Sequence, residues 1–164
     1  MKYRKKLISV IIPCYNEEES IPIFYEEIKD LSKKMNYIDF EFIFIDDGSN
    51  DNSLKEIKLL KLMDSRTKYI SFSRNFGKEA AMYAGLKKSN GNYSVIIDAD
   101  LQHPPRLIED MYKIINEQKC DCVATRRSNR HGEPIIRTIF SKLFYKIVNK
   151  ISSTEIIDGL QIIG

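Results

Sequence analysis

Apolar and polar positions follow two rhythms along this chain, and their order predicts strands alternating with helices. Short runs rich in β-branched and aromatic residues recur at Leu7–Ile12, Phe40–Ile45, Tyr69–Phe72, Tyr93–Ile97 and Cys120–Ala124. Runs of that length and composition read as strands. Between them, apolar residues return with the 3.6-residue period of a helix. The first helix is predicted from a cap at Ser20, with Ile23, Phe24, Ile28, Leu31 and Met35 on its inner face. A second starts at Asn52 or Ser53 and carries Leu54, Ile57, Leu60 and Leu62. The third spans Gly77 to Lys88, with small residues (Ala80, Ala81, Ala84, Gly85) that allow close packing on a sheet. Pro105 opens a fourth, from Arg106 to about Gln118. Strands that are apolar throughout, each followed by a helix, predict an α/β fold: a mainly parallel sheet with helices on both faces. The whole chain, 1–164, reads as one domain without repeats. Residues 126–134 are polar and predict a mobile loop. Residues 135–152 predict a helix with apolar pairs on one side and Lys142, Lys146 and Lys150 on another.

Candidate chemistry collects where the predicted strands end. The first ends in Pro13-Cys14-Tyr15-Asn16-Glu17-Glu18-Glu19, the second in Asp46-Asp47-Gly48-Ser49-Asn50-Asp51, and the fourth in Asp98-Ala99-Asp100-Leu101-Gln102-His103. In an open parallel sheet these ends share one edge, where ligands bind. Taken singly, each loop reads as a turn or a helix cap before it reads as a site: Asp51 and Ser53 as caps, Gly48 as a left-handed turn. Together, three acidic loops at one edge need a ligand, because like charges repel. Two acids one residue apart can grip a hard divalent cation whose remaining positions go to phosphate oxygens. That combination points to a nucleoside diphosphate handled through a metal ion.

Composition changes this picture little. The chain is 43% hydrophobic and 30% charged, ordinary for a folded domain, and its net charge of +3 is too small to imply nucleic-acid binding. The basic residues Arg126, Arg127, Arg130, Arg137, Lys142, Lys146 and Lys150 nevertheless crowd the last third. Three cysteines, Cys14, Cys120 and Cys122, predict buried thiols in a reducing compartment rather than a disulfide or zinc site. The apolar run after the basic start stops at Pro13, too short for a cleaved leader, and no run approaches the ~20 residues that span a bilayer. A cytoplasmic chain is expected. A basic amphipathic helix at 135–152 permits contact with an anionic membrane surface, although periodicity alone favours ordinary packing on the sheet.

Four segments in order carry a resemblance: Pro13-x-Tyr15-Asn16-Glu17-Glu18, Asp46-Asp47-Gly48-Ser49-x-Asp51, Ser73-Arg74-Asn75-Phe76-Gly77-Lys78, and Asp98-Ala99-Asp100-Leu101-Gln102-His103-Pro104-Pro105. They resemble the successive motifs of family 2 glycosyltransferases, in the branch of dolichol-phosphate mannosyltransferase and bacterial polyprenyl-phosphate glucosyltransferases. The resemblance runs from about Leu7 to Tyr145 and implies a Rossmann-like, A-type glycosyltransferase fold. It implies a nucleotide site of Pro13, Tyr15 (near the base), Asn16, Glu17 (near the ribose), Asp46 (to the base ring), Asp47, Ser49, Asn75, Lys78, Asp98 and Ala99. Asp98, Asp100 and Gln102 would hold Mg²⁺ or Mn²⁺ against the diphosphate, although Lys78 also reads as a plain solvated helix residue. Arg127, Arg130, Arg137 and Ser141 would meet an acceptor phosphate, through the fork geometry that makes Arg suited to it. Catalysis would rest on Asp98, Asp100, Arg127 and Arg130, in a single inverting displacement from a nucleotide sugar to a polyprenyl phosphate. A phosphate acceptor is already ionised near neutral pH and needs no strong base, so His103 is read as shaping the turn before Pro104. The reaction is expected at the inner face of the cell membrane, in cell-envelope glycan synthesis.

The resemblance weakens after Tyr145. Ile156-Ile157-Asp158-Gly159-Leu160-Gln161 offers an acid, Asp158, without the aromatic and arginine that relatives place beside it. The chain is therefore expected to be incomplete at its C-terminus. Two further readings follow: a nucleotide- and metal-binding remnant without turnover, or a family 2 transferase with a saccharide acceptor. A phosphoacceptor receiver domain is disfavoured, because it needs its acid pair after the first strand, whereas these acids are spread over three loops.

Overall fold

The computed structural model describes residues 5–118 and 120–123, together with the backbone of 125–126 and 160–161. Four strands form one all-parallel sheet in the order β3-β2-β1-β4: β1 Leu7–Cys14, β2 Asp39–Asp46, β3 Thr67–Ser71 and β4 Tyr93–Ile96. The helices between them are α1 Ser20–Lys34, α2 Ser53–Met63 and α3 Lys78–Lys88, with α4 Leu107–Gln118 following β4. This is the expected arrangement of a parallel sheet between helical layers.

The two-residue period of the strands divides the core in two. Ile8, Val10, Ile12, Phe40, Phe42 and Phe44 face one way and pack with Phe24, Tyr25 and Ile28 of α1, Ile57 and Leu60 of α2, and Ile108 and Met111 of α4. Ile11, Ile43 and Ile45 face the other way and meet Ala81 of α3. The small-residue face of α3 has a clear steric reason. A Cβ on Gly85 would lie 2.3 Å from Ile11 Cγ2 and 2.9 Å from Ile45 Cδ1, so only glycine lets the helix sit this close to the sheet.

Several expectations need correction. β1 does not stop at Ile12 but runs through Pro13 to Cys14, paired along its length with β2. The reason lies in which side lacks a donor. Ile11 O accepts the Ile97 amide of the β4 side, and a strand's polar groups alternate sides, so the N–H that Pro13 lacks would also face β4. Pairing with β4 ends at Ile11, leaving a gap between β1 and β4. Ser20 is the first residue of α1 rather than its cap; its hydroxyl donates to the Glu17 carboxylate, and Glu19 takes the cap position without a side-chain bond. Ile23 and Leu62 sit outside the core at 54% and 84% exposure, while Ile21 and Ser53 are buried in their helices. Lastly, Cys120–Val123 are not a strand. None of the four is buried and only Val123 among them packs against the core, too little apolar face to hold a strand in the sheet. A two-residue β5, Thr125–Arg126, pairs antiparallel with β6, Leu160–Gln161, apart from the main sheet. The predicted loop and helix at 126–134 and 135–152 lie outside the described residues, except for the Arg126 backbone.

Candidate active site

The strand order makes a crevice. After β3 the chain crosses to the far side of β1 to lay down β4, so the loops leaving β1 and β4 part at the sheet's carboxyl edge. Open α/β sheets bind ligands at such a switch point. Here the edge holds a cavity of about 420 Å³, lined by Pro13, Cys14, Tyr15, Glu17, Asp47, Asn75, Gly77, Lys78, Ala81, Asp98 and Asp100.

Two loops form its floor by bonding to each other. Asn16 adopts φ 55°, and its amide donates to Ser49 Oγ (3.0 Å) while its Oδ1 accepts the Asn50 amide (2.9 Å). The Glu17 amide donates to the buried Ser53 Oγ (2.7 Å), and the Glu18 amide to Asp51 Oδ2 (3.1 Å). Glu18 Oε2 in turn accepts from the Asn52 amide and side chain, both at 2.8 Å. The β1 and β2 loops are thus one unit, which sets Tyr15 and Glu17 over the crevice.

The acid pair at the end of β2 is divided in its work. Asp46, 2% exposed, accepts from the Ser49 amide (3.1 Å) and the Ser71 hydroxyl (2.9 Å) and does not reach the cavity wall. Asp47 lines the cavity, and its two oxygens accept the amides of Phe76 (2.7 Å) and Gly77 (2.9 Å) ahead of α3. Gly48 between or beside these contacts is dictated by space: its φ is +70°, and a Cβ would lie 2.3 Å from the Arg74 carbonyl carbon.

Also lining the cavity, Lys78 Nζ donates to Asp98 Oδ2 at 2.7 Å. Asp100 Oδ1 accepts the Gln102 amide (3.0 Å) across Leu101, which takes φ 60°. A bulky residue in that region is strained, and such strain collects at functional loops. Asp98 and Asp100 supply hard oxygen donors to one cavity, which fits Mg²⁺ or Mn²⁺ completed by phosphate and water. Among the described residues no group of three or more His, Cys, Asp and Glu is placed to hold a metal ion by itself.

Of the residues expected at the site, the cavity brings together Pro13, Tyr15, Glu17, Asp47, Asn75, Lys78, Asp98 and Asp100. Asn16, Asp46 and Ser49 are not in its lining but hydrogen-bond the loops that are, Ala99 is buried, and Gln102 meets Asp100 through its backbone. Arg127, Arg130, Arg137, Ser141 and Asp158 lie outside the described residues. Cys14, Gly77 and Ala81 line the cavity without having been expected there; each adjoins an expected residue or lies one helical turn from one. Burial, and then the charges of Glu17, Asp46 and Asp98, push the Cys14 thiol well up, so it serves as an inert apolar wall.

Comparison with known proteins bears on this geometry directly. The family model described as glycosyl transferase family 2 matches residues 9–158. A Bacillus subtilis (strain 168) protein, CsbB, named provisionally as a glycosyltransferase, is 43% identical over 157 residues, covering 96% of this chain and 47% of its own. The bactoprenol glucosyl transferase of Shigella phage SfX is 39% identical over 153 residues, covering 91% of this chain and 48% of its own. The chain thus spans about half the length of these relatives. Among solved structures, the mannosyltransferase PcManGT of Pyrobaculum calidifontis, in complex with GDP-Man and Mn²⁺, superposes with a TM-score of 0.60 at 20% identity, over 77% of this chain and 38% of its own. TarS 1-349 of S. aureus, in complex with UDP, gives 0.59 at 24%, over 80% and 38%. At these identities the superpositions speak for the fold.

Proposed function

Since the chain belongs to glycosyl transferase family 2, we propose that its crevice binds a nucleotide sugar and that the sugar passes, with inversion, to a polyprenyl phosphate. The observation that carries this reading is the convergence of the β1, β2 and β4 loops on one cavity at the switch point, with Asp98 and Asp100 on its wall. Tyr15 and Glu17 would take the nucleoside, on a floor fixed by the loop-to-loop hydrogen bonds. Asp47, held by the Phe76 and Gly77 amides, fixes the approach of α3 to the same pocket.

Asp98 and Asp100 would hold Mg²⁺ or Mn²⁺. A cation held there would supply positive charge against the departing diphosphate, the main electrostatic demand of the reaction. Arg127 and Arg130 would supply further positive charge, and with Arg137 and Ser141 receive the acceptor phosphate. The names of the phage relatives support a polyprenyl acceptor. An ionised phosphate oxygen needs no base to attack the anomeric carbon, so such an acceptor asks for no further group in the cavity. Such an acceptor would bring the chain to the inner face of the cell membrane. Among the described residues no helix is long and apolar enough to cross one.

The test is transfer itself. The chain is incubated with Mn²⁺, undecaprenyl phosphate in detergent, and radiolabelled UDP-glucose or GDP-mannose. The reading expects label to enter the organic phase with one donor, and the product's anomeric configuration to be inverted. Label appearing only on added oligosaccharide would replace the acceptor. Donor binding without any transfer would reduce the chain to a nucleotide-binding unit.

A further inference from the structure

The Lys78–Asp98 contact carries a consequence beyond the donor site, though it rests on that reading. Lys78 opens α3, where the helix dipole is positive and a lysine is electrostatically misplaced. Its side chain is half exposed, yet it reaches into the cavity and closes on Asp98, whose side chain is 24% exposed. The cavity's other carboxylates leave that pairing undisturbed. Asp47 is committed to two amides, Glu17 accepts the Ser20 hydroxyl, and Asp100 accepts the Gln102 amide. Lys78 therefore sits on the carboxylate that a divalent cation would use. Lys78 takes Asp98 Oδ2, and a lysine ammonium and a divalent cation on one carboxylate repel each other at such range, so each weakens the other's hold.

We propose that Lys78 is a resident counter-cation which holds Asp98 in the donor-free site and passes to the phosphate oxygens of a nucleoside diphosphate when Asp98 takes up the divalent cation. Lysine suits the part, being a compact point charge on a flexible stem. The exchange makes the site discriminate. A metal ion alone must displace Lys78 with nothing for the ammonium to bind in return. A nucleoside diphosphate arriving with its metal supplies the replacement anion at the same moment. The same logic favours diphosphates over monophosphates, whose single phosphate must satisfy both cations.

Lys78→Ala and Lys78→Arg separate this from a structural pairing. Mn²⁺ affinity is measured without nucleotide, from the free-ion electron paramagnetic resonance signal. Affinities for UDP, GDP, UMP and GMP are then measured in saturating Mn²⁺. The exchange predicts opposite signs for Lys78→Ala. Mn²⁺ alone binds about three- to tenfold tighter, because a screened but close positive charge is gone. The preferred diphosphate binds about tenfold weaker, with its monophosphate nearly unchanged. Lys78→Arg keeps the native behaviour in sign. Unchanged or weaker Mn²⁺ binding by Lys78→Ala, in a chain that still binds metal–nucleotide, overturns the exchange and leaves the donor site standing. Failure of the native chain to bind any nucleotide with Mn²⁺ removes both.

Discussion

Gly48 shows how little freedom the site leaves to single residues. Its left-handed backbone and the 2.3 Å approach of the Arg74 carbonyl carbon allow no side chain, and the segment it touches carries Asn75 and Gly77 into the cavity. Gly48→Ala should cost about 2 kcal/mol or more, combining φ strain with a backbone clash. Urea unfolding would show this as a lower midpoint at unchanged slope, and loss of nucleotide binding should accompany it. A neutral midpoint would mean that the two loops are not held together as described. Gly48 was readable in the sequence as a turn, but its steric partner was not, since the contact is between loops after different strands. Leu101 was less legible still: leucine carries no mark of a positive φ, which here comes from the Asp100 carboxylate accepting the Gln102 amide.

At the scale of elements, the junction of α2 and β3 carries an ion pair whose two members are hydrogen-bonded to α1. Asp64, just past α2, accepts from Arg66 and from the Tyr25 hydroxyl (2.9 Å), and Arg66 also reaches Ser32 and lies over the Phe42 ring. The Arg66 guanidinium beside Asp64 is the chief reason its carboxyl falls from 3.8 to about 2, while burial and the Asp64 bond push Tyr25 up to about 12. A carboxyl with a depressed folded value stabilises the fold above its unfolded value, near 3.8 here, and loses that contribution as pH falls toward 2. The contribution at neutral pH is at most about 2 kcal/mol. Asp64→Asn should therefore lower stability at pH 7 and flatten its decline between pH 4 and pH 2, as read by denaturant titrations across that range. Parallel curves for the two proteins would contradict the assignment. The strands and helices flanking this junction were legible from periodicity, because buried parallel strands and amphipathic helices differ in period. Cys120–Val123 misled for a related reason: β-forming residue types with a single core contact, at Val123, are not enough to make a strand.

For the molecule as a whole, function follows from topology. The order β3-β2-β1-β4 sends three acidic loops to one edge and parts two of them, and Pro13 leaves no donor where they part. The three acidic loops and their shared edge could be reasoned from the sequence, since parallel strands put their ends together. What could not be reasoned was the division of labour inside each motif. Asp46 and Asp47 are neighbours of like chemistry, yet one is sealed beneath the floor and the other faces the cavity. That division depends on Ser71 and the 76–77 amides, which come from distant positions.

The central claim, that this edge is a metal-dependent nucleotide site, is most directly tested by calorimetric titration of UDP and of GDP into the chain and into Asp100→Asn. Each titration is run with Mn²⁺ and again with EDTA. The account predicts that one nucleotide binds in Mn²⁺, that EDTA abolishes the binding, and that Asp100→Asn weakens it at least tenfold while the fold persists. Binding that ignores EDTA and the substitution, or no binding by the folded chain, would contradict it.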